Sequence, residues 1–178
     1  LIDLAHIYGL AVLLDVVYNH AGGDFGDQSL YFFDRQDPAG GQRHSLYFTD
    51  VGHAGGLVFD FAKPEVRDFL IQNAKFFLTE YRVDGFRYDQ VSVIDHDGAP
   101  EGWRFCQDLT STVHAQRPET LHHAEYWDVN PFIVAPRPVG AGFDTTLTDG
   151  LRMAIRDVIG NASAPDERPL NMTALARS

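Results

Sequence analysis

The sequence predicts an α/β fold in which a parallel sheet is covered by crossover helices, and three observations lead to this expectation. Short apolar segments rich in Val and Leu alternate with longer segments of helical periodicity. Polar residues follow these short segments directly. The 178 residues, 44% of them hydrophobic and 22% charged, suffice for one domain with a core. Alternation at this interval is typical of a parallel sheet, either open or closed into a barrel.

The first third of the chain is predicted to hold a helix, a strand and a long excursion. Residues 1–8 carry apolar residues at helical spacing, and Gly9 is typical of the position just past a helix end. Residues 10–17 are almost continuously apolar, which favours a strand buried on both faces of a parallel sheet. Residues 21–61 then change to Gly, Asp and aromatic residues without a sustained period. We expect them to form a long loop or a small inserted subdomain.

The remaining two thirds are predicted to alternate in type. Pro64 opens a strongly periodic helix, with acidic residues in its first turn. The predicted elements are a helix at 64–81, a strand at 82–89, a helix at 102–115, a strand at 121–126, a short strand at 142–143 and a helix at 147–159.

Composition excludes several classes of function. The formal net charge of −11 argues against a nucleic-acid partner, because such binding draws on clustered Lys and Arg. No apolar run approaches the roughly 20 residues that cross a bilayer, so no membrane association is expected. The single cysteine, Cys106, cannot form an intrachain disulfide. A cytoplasmic location is therefore expected.

The candidate site residues lie where predicted strands end. In parallel α/β folds the active site lies beyond the carboxyl ends of the strands. Carboxylates on two different strand ends are the groups that glycoside cleavage requires. The residues selected in this way are Asp15, Asn19, His20, Arg87, Asp89 and Glu125.

Three of these strand ends carry a resemblance to a known family. Residues 15–20 read DVVYNH, residues 85–89 read GFRYD and residues 124–127 read AEYW. In order and spacing they resemble the first three of four motifs of glycoside hydrolase family 13, the α-amylase family. The resemblance implies that residues 1–178 are a fragment of a (β/α)8 TIM barrel, about its third to sixth βα units. Residues 21–61 would be a short B-domain-like insertion.

The resemblance implies roles for two carboxylates. Asp89 would be the nucleophile of a retaining mechanism and would form a β-glycosyl-enzyme ester, and Glu125 would be the general acid/base. Arg87 lies two residues before Asp89, so both side chains point to one side of a strand and the guanidinium is expected to keep Asp89 ionised. Desolvation by the neighbouring rings of Tyr126 and Trp127 is expected to hold a proton on Glu125.

Four further residues receive roles from the first motif and its surroundings. His20 resembles the family residue that hydrogen-bonds the sugar at the cleavage point, and Asp15 is expected to brace the loops. Asn19 matches a position that binds calcium in many members, although catalysis is expected to require no cofactor. Tyr18 could stack on a sugar or, equally, lie in the core.

Two departures from the family pattern bear on function. No His-Asp pair follows Glu125, so this piece is expected to lack the third catalytic carboxylate, to leave the barrel open and to be inactive alone. Ser92 and Val93 stand where familiar α-amylases carry Lys-His, a pair that branching enzymes and trehalose-releasing relatives also lack. The resemblance therefore favours a 1,4-α-glucan branching enzyme with an α-glucan as partner. An α-amylase-type or trehalose-releasing hydrolase and a non-catalytic binding subunit are the alternatives.

Overall fold

The structure is a computed structural model that describes residues 1–22, 45–98, 100–147, 149–166 and 168–177. Its strands are β1 (Leu13–Val16), β2 (His20–Ala21), β3 (Phe48–His53), β4 (Gly56–Phe59), β5 (Gly85–Tyr88), β6 (Leu121–Glu125) and β7 (Thr145–Leu147). Its α-helices are α1 (Ile2–Ile7), α2 (Pro64–Phe76), α3 (Val91–Asp97), α4 (Glu101–Gln116), α5 (Asp149–Ala162) and α6 (Met172–Arg177). A π-helical turn, Phe77–Tyr81, continues α2, and a 3-10 turn spans Pro131–Ile133.

Four strands form a parallel sheet in the order β1-β5-β6-β7. Helix α2 lies between β1 and β5 along the chain, and α3 and α4 lie between β5 and β6. This is the predicted alternation of parallel strands with crossover helices.

Strands β5 and β6 approach closely because the first residue of β5 is glycine. A Cβ atom on Gly85 would lie 2.3 Å from the carbonyl oxygen of Leu121 and 2.7 Å from a methyl carbon of Leu13. Neither distance is compatible with a side chain. Gly85 therefore allows the register that brings the ends of β1, β5 and β6 together.

The two faces of the parallel sheet differ in composition. One face is buried beneath the helices and carries Phe86, Tyr88, His122 and Ala124, each at most 1% exposed. The core continues into α2 and α4 through buried residues that include Val66, Leu70, Ala74, Phe105, Leu109 and Val113. The opposite face, called the inner face here, carries the alternate residues of the same strands, because side chains alternate along a strand.

The prediction of a strand buried on both faces was wrong for the first strand. Leu13 is 45% exposed and Val17 is 48% exposed. Both belong to the inner face, which no element in the described part of the chain covers at β1. Because β1 is also the edge of the sheet, only its other face enters the core, through Val16.

The fourth parallel strand lies at Thr145–Leu147 and not at residues 142–143. Gly142 and Phe143 instead bond to the preceding turn, with Gly142 N donating to Ala135 O at 3.0 Å and Phe143 N to Ile133 O at 3.1 Å. Gly142 adopts a φ of +79°, which a strand does not tolerate. The short helices α3 and α6 were not predicted.

The region of the predicted insertion contains a separate antiparallel sheet in the order β2-β4-β3. Strand β4 is buried along its whole length. Residues 23–44 of the predicted insertion lie outside the described residues, so the boundaries 21–61 remain a prediction. Of the helices that are described, none is long and apolar enough to cross a bilayer. The cytoplasmic location is still a prediction.

Candidate active site

Three carboxylates meet around one guanidinium at the carboxyl end of the parallel sheet. Arg87 Nη1 donates to Asp15 Oδ1 at 2.7 Å and to Asp89 Oδ1 at 3.0 Å. Arg87 Nη2 lies 2.7 Å from Glu125 Oε2. We call Asp15, Asp89 and Glu125 together with Arg87 the carboxylate cluster. Sequence analysis had selected all four residues, and the structure brings them together.

The parallel register explains this convergence. Asp15 pairs with Arg87 across β1 and β5, and Arg87 pairs with His123 across β5 and β6. Two residues further along, Asp89 and Glu125 leave their strands on the same inner face. Asp89 N also donates to Val16 O at 3.0 Å, which continues the pairing of β5 with β1 past the last strand residue. This bond holds the backbone of Asp89 in line with the strand, so its carboxylate is directed to the inner face.

Asn19 and His20 form a second set of contacts to Asp89. Asn19 is fully buried, and its Nδ2 donates to Asp89 O at 2.8 Å and to Asp89 Oδ2 at 3.0 Å. The side-chain oxygen of Asn19, Oδ1, in turn accepts a hydrogen bond from His20 Nδ1. Each carboxylate oxygen of Asp89 therefore has a donor, Arg87 on one and Asn19 on the other. Both donors stabilise negative charge on Asp89.

The His20 imidazole stands beside the cluster in its neutral form near pH 7. Burial lowers the pKa of His20, the nearby His53 lowers it further, and Asp89 acts in the opposite direction. The His20 and His53 rings meet edge to face, with 5.1 Å between their centroids. A neutral imidazole both donates and accepts hydrogen bonds, which suits contacts to sugar hydroxyl groups.

Glu125 is held by two donors on one oxygen. Besides Arg87 Nη2, the backbone N–H of Gln90 donates to Glu125 Oε2 at 3.0 Å. The expected shielding by two aromatic rings is not what the structure shows. The Tyr126 hydroxyl donates to Asp95 at 2.7 Å, and Trp127 is 41% exposed. The environment of Glu125 is thus more polar than the sequence predicted.

A cavity of about 320 Å³ opens beside Glu125. Its walls combine Trp127 with apolar side chains of β7 and α5, namely Leu147, Leu151 and Ile155. The guanidinium of Arg152 lies 4.9 Å from the centre of the Trp127 ring. An apolar wall with an aromatic ring next to a carboxylate is a surface that can accept a sugar ring.

The structure does not place Tyr18 at the cluster. Tyr18 is 4% exposed, and its hydroxyl donates to Asn73 Oδ1 in α2 at 2.8 Å. The geometry favours the second reading of this residue, a core aromatic that joins the sheet to α2. The carboxylate of Asp15 accepts a hydrogen bond from Arg87 Nη1, and its expected role in bracing the loops remains a prediction.

The two adjacent histidines of β6 lie on opposite faces. His122 is buried in the core, 2.9 Å from the Tyr88 hydroxyl. His123 lies on the inner face next to Arg87, and its Nδ1 is 2.7 Å from Thr145 Oγ1. Burial, followed by the charge of Arg87, lowers the pKa of His123. His122 therefore serves the core, and His123 lines the inner face beneath the cluster.

Sequence analysis missed Gln90 and His53. Gln90 follows Asp89 directly and contacts Glu125 through its backbone, and its side-chain oxygen bonds to His53 Nε2. Gln90 could have been selected from the sequence, because it directly follows the candidate nucleophile Asp89. His53 comes from the antiparallel sheet, and its sequence context gave no signal.

Comparison with known proteins finds relatives in sequence and in fold. No family model matches the chain. It is 32% identical over 163 residues to the 1,4-alpha-glucan branching enzyme GlgB of Leifsonia xyli, covering 79% of this chain and 21% of the relative. It is 34% identical over 167 residues to GlgB of Myxococcus xanthus, covering 80% and 21%. The chain thus spans about a fifth of the length of these relatives.

Solved structures show the same fold. The type III pullulan hydrolase of Thermococcus kodakarensis superposes with a TM-score of 0.63 at 24% identity, covering 90% of this chain and 28% of that one. A family GH13_31 enzyme superposes at 0.64 and 16% identity, covering 99% and 41%. The maltogenic α-amylase AmyB of Thermotoga neapolitana superposes at 0.64 and 18% identity, covering 99% and 35%. In sequence and fold the chain is therefore similar to part of a glycoside hydrolase family 13 domain.

These similarities confirm the resemblance and the fold class predicted from the three motifs. The parallel strands β1, β5, β6 and β7 are a segment of a TIM barrel. The inner face is accordingly the face that lines the barrel. The roles that the family implies for individual residues remain predictions.

The family resemblance also implies calcium binding at Asn19, but the described residues form no recognisable calcium site. Calcium takes six to eight oxygen ligands. Asn19 is the predicted ligand, and its side-chain oxygen Oδ1 is hydrogen-bonded to His20 Nδ1. Within the described ranges, no group of three or more His, Cys, Asp or Glu residues is placed to hold a metal ion. Calcium binding remains a prediction.

Proposed function

We propose that this chain supplies the nucleophile, Asp89, and the general acid/base, Glu125, of a retaining enzyme that acts on α-1,4-glucans, with glycosyl transfer to a new branch as its reaction. The observation that carries the proposal is the carboxylate cluster. One guanidinium contacts both carboxylates, at 3.0 Å and 2.7 Å, at the ends of neighbouring strands. A retaining mechanism requires two carboxyl groups about 5 Å apart.

In the proposed first step, Asp89 attacks the anomeric carbon while the glycosidic bond breaks. Glu125 gives its proton to the departing sugar oxygen, so that a β-glycosyl ester on Asp89 and a shortened glucan remain. In the second step, carboxylate Glu125 takes a proton from the acceptor hydroxyl, whose oxygen displaces Asp89. The donors on both Asp89 oxygens favour the carboxylate as the leaving group.

The two protonation states of Glu125 need two different environments during this cycle. In the structure Arg87 and the Gln90 amide both donate to Glu125 Oε2, which suits the carboxylate that the second step needs. A glucan that fills the cavity beside Glu125 would exclude water from this carboxyl group and favour its protonated form for the first step.

Transfer is preferred over hydrolysis on two grounds. The curated relatives at 32% and 34% identity are named as branching enzymes. Ser92 and Val93 occupy the positions of the Lys-His pair of familiar α-amylases, and both lie in α3, where Ser92 is buried and Val93 packs against the core. Neither side chain is part of the carboxylate cluster, so a leaving-group contact of the amylase type is not provided.

The partner in this proposal is an α-glucan. That the protein has no nucleic-acid or membrane partner remains an expectation. The antiparallel sheet would contribute to the sugar site through His53, beside His20.

The test is a product analysis of the full-length protein on amylose, scoring new branch points and reducing ends. Asp89→Asn removes the nucleophile, and Asp97→Asn is the matched control because Asp97 is exposed at the end of α3. We expect branch points with few reducing ends from wild type and from Asp97→Asn, and none of either from Asp89→Asn.

Each other result points to a different function. Abundant reducing ends without branches would make the protein a hydrolase. If the protein releases trehalose when it is given a trehalose-capped glucan, the trehalose-releasing alternative is correct. If wild type and Asp89→Asn are equally inert but bind amylose equally well, the protein is a non-catalytic binding subunit.

A further inference from the structure

The residue that follows Asp89 has an unusual backbone conformation. Gln90 has a φ of +36° and a ψ of +59°, in the left-handed region that residues with a side chain rarely occupy. It stands between the end of β5 and the first residue of α3, where the chain must turn sharply. Such conformations persist when surrounding contacts determine them, and they occur preferentially at functional sites.

The backbone amide of Gln90 contacts the candidate acid/base. Gln90 N donates to Glu125 Oε2 at 3.0 Å. This N–H belongs to the Asp89–Gln90 peptide, and the bond from Asp89 N to Val16 O holds the upstream side of that peptide at the end of β5. The left-handed conformation of Gln90 turns the chain that follows it into α3.

The side chain of the same residue is tied to another part of the fold. Gln90 Oε1 bonds to His53 Nε2, from the last residue of β3 in the antiparallel sheet. Since an amide oxygen only accepts hydrogen bonds, His53 Nε2 donates. The His53 ring also rests against His20, so it is held from two directions.

We propose that Gln90 is a positioning residue for Glu125, and that its side-chain hydrogen bond with His53 holds Gln90 in place so that its backbone N–H stays directed at Glu125 Oε2. This inference rests on the proposed function in assigning Glu125 as the acid/base. Its consequence is that the antiparallel sheet controls Glu125 without touching it. A change in β3 that breaks the His53 bond should act on the chemical step and not on substrate binding.

The predicted kinetic effect has a definite direction. The backbone N–H of Gln90 donates to the Glu125 carboxyl group, which acts in both steps of the proposed reaction. Misplacing this group should slow both steps, so kcat should fall about tenfold with little change in KM.

The experiment compares Gln90→Gly, His53→Phe and the double variant in the full-length protein. Glycine adopts the left-handed turn without strain and keeps the backbone N–H, but it lacks the side-chain amide that bonds to His53. Phenylalanine keeps the ring against His20 and cannot donate to Gln90. We expect each single variant to lower kcat about tenfold, with KM within twofold of wild type. The double variant should be no slower than the slower single one.

Ala54→Gly is the matched control. Ala54 has a φ of +47° in the exposed turn between β3 and β4, so glycine relieves the same kind of strain there without touching the His53 bond. It should leave kcat and KM unchanged. A hundredfold loss in the double variant or an effect on KM alone would overturn the proposal.

A second readout separates this proposal from the proposed function. In wild type, ¹⁵N NMR of the histidine side chains should show His53 protonated on Nε2, and Gln90→Gly should change its ring nitrogen shifts. If the protein has no activity on any α-glucan but the His53 shifts respond, the proposed function fails and the tie between the sheets stands. If the His53 shifts do not respond, the positioning role is wrong whatever the activity.

Discussion

Replacing His122 by phenylalanine is expected to make the stability of this fold less sensitive to acid. His122 is fully buried, and its Nε2 has no hydrogen-bond partner among the described residues. Burial, followed by the nearby His114, lowers the pKa of His122 to about 4, while Asp144 acts in the opposite direction. An unfolded histidine titrates near 6.5. Between these values the unfolded chain binds the proton more tightly than the folded one.

The sign and the size of the effect follow from this difference in pKa. The stability that His122 contributes is fully present above about pH 6.5 and is lost as the pH falls towards 4. The loss in the free energy of unfolding is about 2 kcal/mol by pH 5 and about 3 kcal/mol by pH 4. Phenylalanine keeps an aromatic ring against Tyr88 and Phe143 but does not titrate.

The assay is urea unfolding of the full-length protein at pH 7.5, 6 and 5, with the pKa of His122 measured by NMR. At pH 7.5, His122→Phe should be less stable by about 1 kcal/mol, because the contact with the Tyr88 hydroxyl is lost. Its stability should then fall less on acidification than that of wild type. His96→Gln, at a side chain 57% exposed, is the control and should follow wild type. Parallel pH curves for His122→Phe and wild type would refute the reasoning.

Two substitutions test the sheet and the cluster separately. Gly85→Ala should lower the free energy of unfolding, measured by urea titration, by about 2 kcal/mol or more, because the new Cβ would lie 2.3 Å from Leu121 O. Gly150→Ala is the control: its Cβ would meet open space in α5, so it should be neutral or stabilising in the same titration. Arg87→Lys should lower kcat about a hundredfold on amylose with circular dichroism unchanged, because an ammonium cannot reproduce the forked contacts to three carboxylates; activity within threefold of wild type would show that the guanidinium geometry is not required.

The part of the site that sequence could predict depends on strand geometry alone. Arg87 and Asp89 are two residues apart, so a strand puts them on one side, and the structure shows them 3.0 Å apart. Glu125 is 36 residues further along, yet parallel pairing of β5 with β6 brings it to the same guanidinium. A period of two and a shared carboxyl edge are properties of any parallel sheet.

The part that could not be predicted depends on contacts between elements of different sheets. His53 reaches Gln90 from β3, and no periodicity links an antiparallel hairpin to the end of a parallel strand. The left-handed conformation of Gln90 is equally hidden, since glutamine has no intrinsic preference for it. The fourth strand was misplaced for a related reason, because the backbone at Gly142 bonds to Ala135 and leaves the strand to begin at Thr145.

The alternation along β5 separates the source of stability from the site of chemistry. Phe86 and Tyr88 are buried on the face that packs against the helices, and Arg87 lies between them on the inner face. Three carboxylates around a single guanidinium leave an excess of negative charge at the strand ends, an arrangement that does not favour folding by itself. The apolar face of the same strands offsets that cost, because each residue fixed in the core also fixes its neighbour on the inner face. The buried face thus holds the charged groups of the inner face close together, so substitutions of Phe86 or Tyr88 should change mainly stability and substitutions of Arg87 mainly activity.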